Sequence, residues 1–242
     1  MYGLELLKKA FALQPVERVP WVPFVGVHGG FITGVDAETY LKSAEKIVAG
    51  VSKAIEDYHP DGIPVVFDLQ VEAEILGCRL QWAPHNPPAV ISHPLAEGIH
   101  LNELRIPEIT DGRIPVMVDA VKELRIKYPD IALYGLITGP FTLALHLMGT
   151  DIFIKLFEAP DEVNEVMNFC TKVGLKMAEY LIDAGCDVIA VVDPMTSQID
   201  PLTFETFVTP YVTAIFDDVR KRGNLSSFFV CGHAQQNIEA MC

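Results

Sequence analysis

Short, wholly apolar runs alternate along the chain with stretches in which apolar residues recur every three or four positions. Residues 21–27 form the first apolar run, closed by His28-Gly29-Gly30, and predict a buried strand. In residues 38–58, Tyr40, Ala44, Ile47, Val48, Val51, Ala54 and Ile55 fall at helical spacing and predict one helix. Asp61-Gly62 turns into a second run, 63–67, that ends at Asp68; Pro64 requires this strand to be short or to begin after it. Residues 131–137, 187–192 and 227–230 read as three more strands. They close on Thr138-Gly139-Pro140, on Asp193-Pro194 and on Cys231-Gly232-His233. Between them a helix is expected over 115–127, with Pro115 suited to its first turn. A longer helix is expected over 161–184, with an acidic start and Gly185 as its stop. Residues 1–9 read as an amphipathic helix, and Pro210 marks a break between two helical segments.

The rhythm breaks over residues 78–110. There 78–82 and 89–91 flank a turn containing Pro84, Pro87 and Pro88, as a hairpin insertion would. A sixth strand is expected near 99–106. Val/Ile-rich strands alternating with helices imply a parallel sheet covered on both faces, hence the α/β class. An open doubly wound sheet and a closed barrel both satisfy this pattern. At 242 residues the whole chain suits a single (β/α)8 barrel domain.

Composition narrows the classes. Half the residues are hydrophobic and the mean hydropathy is +0.28, which excludes global disorder. A net charge of −14 argues against nucleic acid, whose phosphates need a basic stripe. The five cysteines (78, 170, 186, 231 and 242) have no small-scaffold spacing. The N-terminus lacks the basic and apolar regions of a signal peptide, and no apolar run approaches the roughly 20 residues that span a bilayer. The expected compartment is the cytoplasm, with thiols reduced and available as ligands. No phosphate-binding glycine loop and no Gly-x-Ser-x-Gly elbow occurs.

In α/β barrels the active site lies at the C-terminal ends of the strands, and here each strand ends in a chemically useful group. His28 could hold a ligand or proton, or cap the next segment. Asp68 and Asp193, each at the mouth of an apolar strand, would be expensive to bury unpaired; a helix cap competes as a role for Asp68. Glu72 and Glu74 lie two apart and cannot share a helix face, so one should face solvent. Gly139 and Pro140, after Thr138, form a turn that a substrate can approach closely or a plain strand-to-helix connector. Cys231 and His233 share a face if their strand continues and could offer two zinc ligands, with Cys242 as a third.

Several stretches resemble, in order, the uroporphyrinogen decarboxylase superfamily. They are Glu17-Arg18-Val19-Pro20-Trp21-Val22-Pro23, then Val66-Phe67-Asp68-Leu69-Gln70-Val71-Glu72-Ala73-Glu74 with Leu76-Gly77-Cys78, and Ile137-Thr138-Gly139-Pro140-Phe141-Thr142-Leu143-Ala144. Ala184-Gly185-Cys186-Asp187-Val188-Ile189, Asp193-Pro194, Pro210-Tyr211 and Val230-Cys231-Gly232 follow. The resemblance implies a distorted (β/α)8 barrel of the TIM type, with a deep cleft at its C-terminal mouth. It also implies strands beyond residue 242, so this chain is expected to lack the last strands of the barrel, as a fragment or with a partner chain completing it.

Within that superfamily, decarboxylases carry arginines after the first strand that clasp the carboxylates of a porphyrinogen. This chain has no arginine between Arg18 and Arg79. Its His28-Gly29-Gly30 resembles the corrinoid-dependent methyltransferase branch instead. That branch implies methyl transfer with a methyl-cobalamin carried by a partner corrinoid protein, a small thiol or other methyl acceptor or donor, and often a homodimer. It also implies zinc held by a His-x-Cys-Gly motif that makes the thiol a thiolate. Cys231 matches the cysteine, Phe229 stands at the histidine position, and His233 lies on the other side. The expected roles are Cys231 and His233 at the metal, Asp68, His28 and Asp193 in catalysis, and Thr138, Gly139 and Pro140 at the substrate. A decarboxylase-like lyase using Asp68 without metal, and a non-catalytic corrinoid-binding or scaffold relative, are the alternatives.

Overall fold

The computed structural model describes residues 3–241. Four parallel strands lie in the order β1 (Gly62–Pro64), β4 (Ala132–Thr138), β5 (Val188–Val192) and β6 (Leu225–Phe229). Between the first two comes a small antiparallel pair, β2 (Leu80–Gln81) and β3 (Ala89–Val90), with Leu80 opposite Val90. The parallel register runs Gly62↔Ala132, Tyr134↔Val188 and Val188↔Leu225. The four-stranded sheet is not closed into a ring among the described residues.

Strand periodicity assigns the two faces. Leu133, Ile137, Ile189 and Val191 point to the helices, where they join Val51, Val118, Met167 and Val173 in the main core. Ala132, Tyr134, Leu136, Val188, Ala190 and Val192 point the other way and pack with Leu7. Half-buried Phe24, Phe67 and Phe229 rest on this second cluster.

The end of the sheet where the strands begin is fastened by charge. The Arg18 guanidinium makes two 2.6 Å bonds to Asp61, one residue before β1. Arg125 pairs with Asp187, one residue before β5, whose carboxylate also accepts the Leu133 N–H. The helix Gly3–Phe11 closes the same end, with the Leu4 N–H bonded to the Asp130 carbonyl. Conserving stability at this end leaves the opposite rim for chemistry.

Several expectations need correction. Residues 21–27 are apolar but are not a strand: Pro20 and Pro23 remove donors, and the segment touches the sheet through one backbone bond, Asp61 N–H to Trp21 C=O. Among the described residues the parallel sheet therefore has four strands rather than five. Residues 99–106 contain a 3-10 turn at Leu101–Glu103 instead of a sixth strand. The helix expected over 38–58 is two, Ala37–Leu41 and Ala44–Tyr58, because the Ser43 hydroxyl caps the second by accepting the Lys46 N–H. An apolar helical stretch, Pro140–Glu158, is long enough by length and composition to cross a membrane. It is interrupted at Gly149, whose φ is +67°, and more than half of its most apolar window is buried within the protein.

Candidate functional site at the barrel mouth

The C-terminal ends of the strands gather Asp68, Glu72, Thr138, Gly139, Asp193 and Cys231 at one rim, because all four strands run the same way. Asp193 is completely buried. Its carboxylate accepts the Phe141 N–H at 3.2 Å, the Thr142 N–H at 2.8 Å and the Thr142 hydroxyl at 2.6 Å. These donors belong to the first turn of helix Pro140–Met148, whose own cap residue, Gly139, has no side chain to offer. Asp193 is thus a helix cap supplied from the next strand. Burial pushes its carboxyl up to about 6 against those three donors. Gly139 is required by this arrangement, since a Cβ there would lie 2.3 Å from the Asp193 carboxyl. Thr138, Gly139 and Pro140 are all buried beneath the rim.

Asp68 is also inside the protein. One carboxylate oxygen accepts the Gln70 N–H at 2.9 Å and the other pairs with Arg113. The same guanidinium donates to Glu74 at 2.7 Å and lies 5.1 Å from the centre of the Trp82 ring. Arg113 therefore ties the loop after β1 to the hairpin and to the helix Ile114–Lys127 that it precedes. Arg113 has little signature in the sequence. The only local sign of it was a lone arginine between Gly112 and the Pro115 of a helix start. Glu72 is buried and Glu74 is the half-exposed one of the pair. Both Glu72 oxygens meet Thr138, the backbone N–H at 2.9 Å and the hydroxyl at 2.8 Å. Burial raises the Glu72 carboxyl above its ordinary value.

His28 begins the short helix His28–Ile32 and is exposed. Its Nε2 lies 2.8 Å from the Tyr58 hydroxyl, and its ring stacks between Phe31 and Tyr58. With Val27, Phe31, Val35, Pro84 and His85 it lines an open cleft of about 770 Å³ between this helix and the hairpin turn. His85 and Phe31 were not singled out in the sequence, where neither falls at a strand end.

Cys231 and His233 are exposed beyond β6, and desolvation around the sulfur raises the Cys231 thiol above its usual value. Phe229 stacks on Phe24 at 4.5 Å and meets Phe67 edge-on. Among the described residues no group of three or more His, Cys, Asp or Glu is placed to hold a metal ion; Cys242 lies outside them. The rim thus gathers Asp68, Glu72, Thr138 and Asp193 into a buried floor, each side chain bonded within the protein, leaves Cys231 and His233 at its open edge, and sets His28 on a separate cleft.

Comparison with known proteins agrees with this fold. A methyltransferase from Methanosarcina mazei superposes with a TM-score of 0.90 at 24% identity, covering 100% of this chain and 73% of its own; the fold is that α/β barrel. The methylcobamide:CoM methyltransferase MtbA of Methanosarcina mazei is 28% identical over 246 residues, 98% of this chain and 72% of the relative. A methylated-thiol–coenzyme M methyltransferase of the same organism is 30% identical over 155 residues, 60% of this chain and 40% of the relative. The uroporphyrinogen decarboxylase of Geobacter sulfurreducens is 24% identical over 199 residues, 79% of this chain and 57% of the relative. The uroporphyrinogen decarboxylase (URO-D) family model matches residues 3–242, and the chain belongs to that family.

Proposed function

We propose that this chain is an enzyme that transfers a methyl group between a methyl-cobamide, carried by a separate corrinoid protein, and a small thiol. The observation that carries the reading is the similarity to MtbA over 98% of the chain, a relative named for methylcobamide and CoM. In the reaction the thiol sulfur bonds to the methyl carbon, the carbon–cobalt bond breaks, cobalt keeps the electron pair, and the thiol proton passes to a base. His233, exposed at the open edge of the mouth, is the imidazole assigned to take it. Thr138, Gly139, Pro140, Asp68 and Asp193 form the floor that positions the acceptor. The cleft beside His28 contains no lysine or arginine and suits the uncharged, amide-fringed edge of a corrinoid. The reading includes a single barrel domain with the hairpin inserted, a cytoplasmic location and a homodimer.

The resemblance to the methyltransferase branch also implies zinc, which would lower the pKa of the acceptor thiol. The described residues do not by themselves fit such a centre. Cys231 and His233 offer two donors where a catalytic zinc takes three protein ligands. The ring of Phe229, in the place of the motif histidine, is packed against Phe24.

The lyase reading has less support. Binding a substrate rich in carboxylates needs free guanidinium groups. Arg18 is committed to Asp61 at the far end of the sheet, and Arg113 to Asp68 and Glu74. Replacing His233 with glutamine tests the methyl-transfer reading: thiol methylation should fall while the fold, followed by circular dichroism, is unchanged. Undiminished methyl transfer would remove His233 from the mechanism.

A further inference from the structure

The Thr138 hydroxyl has two neighbours that both need a hydrogen. The Leu69 carbonyl lies 2.9 Å away and Glu72 Oε2 lies 2.8 Å away. A hydroxyl carries one hydrogen and two lone pairs, and a carbonyl can only accept. If Glu72 were a carboxylate, the single Thr138 hydrogen would have to serve both, and one of the two acceptors would go without it. If Glu72 carries a proton, the count closes. Glu72 then donates to the Thr138 oxygen, the Thr138 hydrogen goes to the Leu69 carbonyl, and Glu72 Oε1 accepts the Thr138 N–H at 2.9 Å.

The surrounding charges favour the same state. Glu72 is buried and Thr138 is 1% exposed. No cation contacts Glu72 among the described residues. On its own side, Asp68 and Glu74 both hold Arg113, and the nearby Asp68 charge disfavours a second carboxylate. The side facing it is the start of helix Pro140–Met148, where the charged group is another acid, Asp193, held on Thr142. A lone buried carboxylate in such surroundings is costly, whereas a neutral acid with every hydrogen bond made is not.

We infer that Glu72 is held as a carboxylic acid and, through Thr138, is the positioning residue that fastens the Asp68–Gln70 turn to the end of β4. The link holds Asp68 beside Arg113, and hence the floor of the mouth, whichever reaction the mouth performs. Thr138 thereby has its hydroxyl committed to the protein.

Infrared spectroscopy of the full chain at pH 8, with and without carbon-13 glutamate, tests this. A carboxylic-acid carbonyl band that shifts with glutamate labelling and disappears in Glu72→Gln is expected. Glutamine offers the same acceptor and donor, so at about pH 4, near the unfolded carboxyl value, this variant should keep the thermal midpoint of the parent, while Glu72→Ala should lower it. Because its folded value is raised, the parent should lose stability relative to Glu72→Gln as pH rises through that value. No label-sensitive acid band at pH 8 would overturn the inference, and so would a Glu72→Gln protein that melts as early as Glu72→Ala.

Discussion

Replacing Arg113 with methionine should destabilise this protein far more than loss of an ordinary surface ion pair. Methionine keeps much of the bulk beside Trp82 and removes the charge. The Asp68 side chain is 0% exposed and that of Arg113 is 8% exposed, so the variant leaves a buried carboxylate with only the Gln70 N–H as partner. Breaking one side of such a pair costs about 3–5 kcal/mol. Glu74 adds little to that loss, because it is 32% exposed and can turn to water. For a chain of this size each kcal/mol moves the melting temperature by about 2–4 °C, giving a fall of about 6–20 °C. Urea unfolding followed by circular dichroism measures the free energy directly. The double variant Asp68→Asn with Arg113→Met should recover more than half of the loss, and the cycle isolates the coupling. A loss below about 1 kcal/mol, the range of exposed pairs, would refute the view that Arg113 locks the mouth.

Two groups at opposite ends of helix Pro140–Met148 should give opposite pH slopes. Asp193 is raised to about 6 by burial, so its contribution is complete below its unfolded value and is lost as pH rises through 6. Against Asp193→Asn, the parent should lose about 3 kcal/mol between pH 4 and 8; a flat difference would contradict the assignment. His146 is lowered to about 4, first by burial and then by His93. Its contribution is therefore lost as pH falls from its unfolded value through 4, and unfolding curves of His146→Gln should lack this acid-side decline. Phe229→His would add an imidazole two residues before Cys231, and elemental analysis should find more zinc per chain than in the parent. Equal zinc in both would show that Phe229 is not what breaks the ligand set.

The arc of the barrel was legible because β4 and β5 are buried on both faces, and such strands must be apolar throughout. Residues 21–27 carry the same signal for another reason: Val22 and Phe24 pack on the second core cluster without joining a ladder. Apolar character reports burial and does not report hydrogen bonding. Asp68 and Asp193 stood out as acids at strand ends, but their work depended on partners 45 and 51 residues away, Arg113 and Thr142. Nothing local announces such pairings. The proton on Glu72 became visible only when Thr138 and Leu69 could be seen to compete for one hydrogen.

The most direct measurement of the central claim is to incubate the purified chain with methylcobalamin and a panel of small thiols. Mass spectrometry would follow the S-methyl product while visible absorbance follows loss of the methyl-cobalt bond. The account predicts a thioether that grows with enzyme concentration, in step with demethylation of the corrinoid. Demethylation no faster than in protein-free solution, together with carbon dioxide release from a porphyrinogen, would contradict it.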